Sequence, residues 1–187
     1  MRFNKSILAI LAIAFTAFAC KKENEPEAEN EEELITTVNL TFTPTEGGDA
    51  VVFSFVDLDG EGSNEPVITN GTLKVNTSYD LDVKFLNELE NPAEDITEEV
   101  NEEGTDHQLF FLISNSLNLD ISYSDADANG NPIGLKSSVQ TGETSSGNLR
   151  VILRHLPKKT AEGVPEGFIE NAGGSTDVEV EFSPTIQ

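Results

Sequence analysis

From Leu34 onward the dominant repeat in this chain is two residues. Val38, Leu40 and Phe42 alternate with Thr37, Asn39 and Thr41, and Tyr79, Leu81, Val83 and Phe85 alternate with Asp80, Asp82 and Lys84. The same holds for Leu117, Leu119, Ile121 and Tyr123 against Asn118, Asp120 and Ser122. Leu149, Val151 and Leu153 alternate with Arg150, Ile152 and Arg154, and Val178, Val180 and Phe182 with Asp177, Glu179 and Glu181. Side chains of a strand point to opposite faces in turn, so each segment reads as a strand with one dry and one wet face. Two-sided apolar runs at Ala50–Val56 and Leu109–Ile113 predict central strands, and Gly71–Val75 and Ile133–Val139 are shorter candidates. Gly-, Asn- and Pro-rich turns separate them. The expectation is an all-β fold over residues 34–187: an antiparallel, Ig-like or Greek-key β-sandwich of eight to nine strands.

A parallel βαβ design needs crossover helices, and the chain offers one helical segment, Asn91–Gly104. Asn91 suits an N-cap, Pro92 the first helical position, and Glu94 completes a capping box. Ile96 and Val100 lie one turn apart and give a narrow apolar stripe for packing on the sandwich. Acidic residues near its C-terminus oppose the helix dipole, which predicts a short, fraying helix stopped at Gly104. Residues 157–175 form a long loop in which Phe168 and Ile169 are the large apolar residues expected to pin it down.

Residues 1–19 have the layout of a secretory signal: Arg2 and Lys5, then an apolar run from Ile7 to Phe18, then small residues. That run is too short to span a bilayer. Cys20, the single cysteine, follows Ala17-Phe18-Ala19, which resembles a bacterial lipobox with Ala17 where leucine is usual. Cys20 is therefore the expected lipidation site and first mature residue. Residues 20–33 read as an acidic, self-repelling tether. Removing the signal takes two of the eleven basic side chains and none of the 34 acidic ones, leaving nine against 34, a net charge of −25. Such a field repels nucleic acid and anionic headgroups and accumulates cations. With Cys20 acylated no internal disulfide forms, so stability falls to an apolar core, for which about 150 residues suffice.

Nothing in the chain supports nucleophilic catalysis: there is no free cysteine, no G-x-S-x-G elbow and no glycine-rich phosphate cradle. The sequence is therefore read as that of a binding protein rather than an enzyme. Asp125-Ala126-Asp127-Ala128-Asn129-Gly130 matches the first half of a calcium loop, in which alternate side chains turn oxygens inward. Lys136 stands where an EF-hand would carry its glutamate, so an EF-hand is rejected. A looser calcium turn at Asp125, Asp127 and Asn129 remains, with a second at Asp57-Leu58-Asp59-Gly60-Glu61, which would suit a structural or adhesive surface domain stabilised by calcium. A plain hairpin turn uses the same residues to bond local backbone.

The two histidines carry a sharper signal. His107 shares parity with Leu109, Phe111 and Ile113, and His155 with Leu149, Val151 and Leu153. Both are expected on core-facing rows near strand ends. If their strands are antiparallel neighbours, the imidazoles meet at one rim of the sandwich. With Asp106 close in sequence, two imidazoles and a carboxylate suit zinc or another late first-row metal. Two imidazoles across an open cleft suit haem. Without such a meeting, each simply caps the core edge.

The segments NPAEDITEEV, HQLFF, DADANGNPIG, SSGNLRVILRH and NAGGSTDVEVEF resemble a family of uncharacterised Bacteroidota lipoproteins, some labelled "type 1 periplasmic binding fold". That label names a two-domain α/β architecture, whereas the alternation here predicts sheet. The acidic stretch after Cys20 resembles the export signal of surface lipoproteins of that group. The resemblance implies a lipid-anchored outer-membrane protein, on the surface or periplasmic face, accompanying a TonB-dependent outer-membrane transporter. The rim loops Asp57–Pro66, Asp125–Gly134 and Pro157–Ser175 are the expected contacts for such a partner or ligand.

Overall fold

Alternating burial along Ser78–Leu86, exposed and buried in strict turn, reflects Tyr79, Leu81, Val83 and Phe85 entering the core while Asp80, Asp82 and Lys84 stay in water. The computed structural model describes residues 33–60 and 62–187, so the signal, Cys20, nearly all of the tether, and Glu61 lie outside the described residues. In chain order the strands are β1 (Thr37–Pro44), β2 (Val51–Val56), β3 (Val67–Thr69), β4 (Thr72–Leu73), β5 (Ser78–Leu86), β6 (His107–Ile113), β7 (Leu119–Tyr123), β8 (Lys136–Thr141), β9 (Ser145–Ser146), β10 (Leu149–His155), β11 (Ser175–Phe182) and β12 (Thr185–Ile186). One helix, α1 (Ile96–Glu102), follows β5. Eight strands are five residues or longer: β1, β5, β7, β10 and β11 coincide with the alternating segments, β2 and β6 with the two-sided apolar runs, and β8 overlaps the shorter candidate Ile133–Val139. The other four have two or three residues; β4 lies within the candidate Gly71–Val75, and β3, β9 and β12 are too short to leave a periodic signal.

A six-stranded sheet in the order β3-β2-β1-β5-β8-β7 faces a three-stranded one, β11-β10-β6. Both are antiparallel throughout, and the one parallel pairing among the described residues joins β12 to β4 in a small third sheet with β9. The architecture is an all-β sandwich. One apolar core fills it, with Val38, Leu40 and Phe42 of β1 and Leu81, Val83 and Phe85 of β5 against Leu149, Val151 and Leu153 of β10 and Phe182 of β11. Phe53 touches Phe42 and Phe182 at ring-centroid distances of 4.7 and 5.8 Å, so one aromatic run joins the two sheets. Tyr123 of β7 ties the sheets at an edge by donating its hydroxyl to the Leu109 carbonyl at 2.6 Å, and burial pushes its phenol up to about 12.

Three local expectations differ from the structure. The run Leu109–Ile113 lies in β6, an edge strand of its sheet, not a central one. Its second apolar face is dry because the 157–175 loop covers it, where Val164 and Ala172 pack on Phe110 and Ile152. Phe168 is 62% exposed and pins nothing, whereas Ile169 packs on that cluster. The helix begins at Ile96 rather than near Asn91: Asp95 caps it through Thr97 N–H, while Glu94 forms a bridge with Asn87. Ile96 and Val100 are buried as the stripe predicts.

Candidate metal centre

Because β6 and β10 are antiparallel neighbours, the start of one lies beside the end of the other, and His107 is paired directly with His155. Their rings stack, with centroids 4.7 Å apart and planes 13° from parallel. His107 is fully buried, and the His155 side chain keeps 14% of its surface at the rim. The third member is a carboxylate from β11: Asp177 Oδ2 lies 3.7 Å from His107 Nε2, and Oδ1 lies 4.0 Å from His155 Nδ1. Asp106, the acid expected from sequence, is not in this group. It serves the backbone instead, its carbonyl accepting from Leu156 N–H.

By alternation Asp177 belongs on the wet face with Glu179 and Glu181. A β-bulge overrides that parity. Leu153 pairs with Val178, but the next residue, Arg154, pairs with Thr176, so Asp177 is the extra residue in β11. Val178 and Ser175 keep the inward side opposite Leu153 and His155, and Asp177 is turned inward beside them, its side chain buried. Arg154 fixes the bend from outside by donating to the carbonyls of Gly173 and Gly174 and to the Thr176 hydroxyl. Gly174, at φ +73°, leaves no room for a side chain: a Cβ there would lie 2.2 Å from the His155 carbonyl oxygen. The sequence signal for the bulge is the Gly173-Gly174 pair just before an otherwise regular strand.

The hydrogen bonding of His107 fixes its protonation pattern. Nδ1 lies 3.2 Å from the Glu103 carbonyl, which can only accept, so Nδ1 carries the proton. Nε2 then presents a lone pair toward Asp177, and it has no hydrogen-bond partner although buried. Burial pulls the His107 imidazole below its ordinary value of 6.5, against the raising effects of the Glu103 carbonyl and Asp177. A neutral imidazole whose second nitrogen bonds a backbone carbonyl is the form that ligates metals. Glu33 and Glu103 approach the same ring, with ligand atoms of Glu33, Glu103 and His107 all within 4.8 Å of one another. Burial, then Glu99, Asp177 and Glu103, raise the Glu33 carboxyl to about 7.

The two predicted calcium turns are occupied by their own chain. Asp57 Oδ1 accepts from the backbone N–H groups of Asp59 and Gly60, and Asp59 Oδ2 accepts from both nitrogens of Asn64. Asp125 accepts from Gly134 and Lys136 N–H, and Asp127 Oδ1 from Asn129 and Asn131 N–H. The other Asp127 oxygen faces an ammonium: Lys159 Nζ at 2.8 Å, buried and donating also to the carbonyls of Gly104 and of His107, the latter at 2.8 Å. Burial works to raise Asp127, but Lys159 and the backbone donors hold it below 3.8. These oxygens are directed at donors of the chain. Lys159, which sequence placed in a solvated loop, is the internal cation.

The stacked rings also disfavour haem, whose axial imidazoles approach one iron from opposite faces rather than lying face to face beside one carboxylate. A groove of about 530 Å³ is lined by Leu34, Phe55, Leu58, Leu89 and, of the cluster, Asp177. Compared with protein-family models, with curated proteins and with solved structures, the chain matches none.

Proposed function

We propose that this is a non-catalytic binding module, lipid-anchored through Cys20 at the outer membrane, which takes up a late first-row divalent metal ion through His107, His155 and Asp177. The observation that carries the reading is the fully buried His107 Nε2, holding a lone pair without a hydrogen-bond donor and facing a carboxylate beside a second imidazole. Two imidazoles and one carboxylate are a donor set for zinc and its neighbours. A tetrahedral ion with bonds of about 2.0–2.2 Å sets its donors roughly 3.4 Å apart. The nitrogen-to-carboxylate spacings of 3.7 and 4.0 Å therefore need to close by about 0.3 and 0.6 Å. The Glu103 carbonyl supplies the outer-shell acceptor that fixes ring and tautomer. The acidic surface favours cation arrival. Delivery to a TonB-dependent transporter, through the rim loops, belongs to the same reading and rests on the family resemblance alone.

Zinc titration of the purified chain by calorimetry tests the reading. One ion per chain is expected, with His155→Ala binding at least tenfold more weakly and keeping its β-sheet circular dichroism. His155 is the variant of choice because its ring sits at the rim, while truncating His107 opens a cavity in the core. At zinc 100 times the dissociation constant, mass action stabilises the native state by about 2.7 kcal/mol. Absence of stoichiometric zinc binding by the folded wild-type chain sinks the proposal.

A further inference from the structure

We infer that the outer edge of β11, with the apolar groove beside it, takes up an extended segment of a partner protein in which apolar residues alternate with lysine or arginine. The inference goes beyond the metal reading and does not draw on it. Among the described residues β11 is hydrogen-bonded on one side only, to β10, and at eight residues it is the longest edge strand of the two main sheets. The opposite edge of its sheet, β6, is occupied, since Leu109 donates to the Ile133 carbonyl and accepts from Tyr123. Among the described residues the backbone of Val178 to Glu181 pairs with β10 alone. A strand with one row of N–H and C=O groups unpaired is a template for another strand.

The surroundings of that edge decide what kind of strand fits. The groove borders Val178 and Glu179 of β11 and is lined across from them by Leu34, Phe55, Leu58 and Leu89. Its three leucines are exposed by half or more, and Ile68, 44% exposed, extends the apolar surface from Phe55, with which it is paired. Four of the eight exposed large apolar side chains among the described residues thus form one patch, where single scattered residues would be ordinary. Asp57, Asp59, Asp177 and Glu179 line the same groove, and among the described residues no lysine or arginine does. Arg150 meets Glu179 at 3.2 Å without reaching the groove lining. A second copy, equally acidic, is repelled from this edge, whereas a cationic segment is drawn to it. Side chains of an added strand alternate between two faces, so one face lies on the leucines and the other meets water near the carboxylates. Alternating apolar and cationic residues satisfy both. The bulge at Asp177 interrupts the regular ladder, so the new pairing begins at Val178.

The experiment uses the full mature chain and, as probe, a fluorescein-labelled peptide of about eight residues alternating lysine and valine. Fluorescence anisotropy compares it with a glutamate–valine peptide and with a lysine–proline peptide, which keeps the charge but lacks half of the strand donors. Hydrogen exchange read by NMR follows the amides of Val178 to Glu181. The lysine–valine peptide is expected to bind at least tenfold more tightly than either control. The double variant Leu58→Lys, Leu89→Lys, which changes two exposed side chains and should keep its β-sheet circular dichroism, is expected to bind it at least tenfold more weakly. Added peptide should slow exchange at the alternate amides that face away from β10. Equal binding of the lysine–valine and lysine–proline peptides, or unchanged affinity of the double variant, reduces the interaction to diffuse charge and overturns the inference, as does no binding at all. Edge amides already protected before peptide is added place the chain's own segment in the groove. A concentration-dependent dimer that the double variant abolishes places a second copy there. Either result also overturns it.

Discussion

Two buried carboxylates lie at the same rim, and they are satisfied in opposite ways. Asp127 sits in a turn whose backbone N–H groups fold onto one oxygen while Lys159 meets the other at 2.8 Å. Asp177 sits on a bulge and faces two imidazoles at 3.7 and 4.0 Å, distances too long for hydrogen bonds to those rings. The two places are physically joined, since the Lys159 ammonium also donates to the backbone carbonyl of His107. In the first, the chain brings its own cation, and the geometry is closed. In the second, two stacked imidazoles stand beside the carboxylate. The difference separates a closed ion pair from the cluster on which the proposed metal reading rests.

The comparison breaks most visibly if the internal cation is removed. Lys159→Met leaves a buried carboxylate and two carbonyls without their donor, and should cost about 3 to 5 kcal/mol in urea unfolding. Adding Asp127→Asn to that variant should recover part of the loss, because the uncompensated charge is then gone. If Lys159→Met unfolds at the wild-type midpoint, the ion pair is not what holds the turn.

A smaller effect, read through pH, sharpens the contrast. The Asp127 carboxyl is held below its ordinary 3.8, so the native state binds fewer protons there than the unfolded chain. Its contribution is present above that value and lost as pH falls through the native one. Asp127→Asn should thus be about 1 to 3 kcal/mol less stable than wild type near pH 6, and the gap should close below about pH 4. A gap that stays constant through the acid range contradicts the assignment.

The smallest expected effect is none at all. Millimolar calcium should leave the melting temperature unchanged, and Asp57→Asn should not alter that, because the Asp57 and Asp125 oxygens already accept backbone donors. A calcium-dependent rise that Asp125→Asn abolishes would overturn this view of the turns.

How far the sequence announces these features depends on whether they are local. The strands were legible because Val38, Leu40 and Phe42, or Tyr79 to Phe85, alternate without a break and are buried accordingly. The placement of His107 and His155 on inward rows was legible for the same reason, and the pairing of β6 with β10 brought them together. Asp177 was not legible: its parity pointed to water, and a one-residue offset against Arg154 reversed it. Lys159 was hidden differently, since a lysine in a Pro-Lys-Lys-Thr stretch reads as solvated until the loop folds back over β6. The helix start was misplaced because Asn91 to Glu94 carry cap chemistry that the bridge from Glu94 to Asn87 overrides.

The offset in β11 makes chain length, and not only side-chain identity, a determinant of chemistry here. Shortening the Gly173–Asp177 stretch by one position while keeping every named donor would let the ladder run in register and swing the carboxylate out to water. Such a protein would still contain two histidines and an aspartate, but it would have lost the pocket by counting, with no ligand mutated.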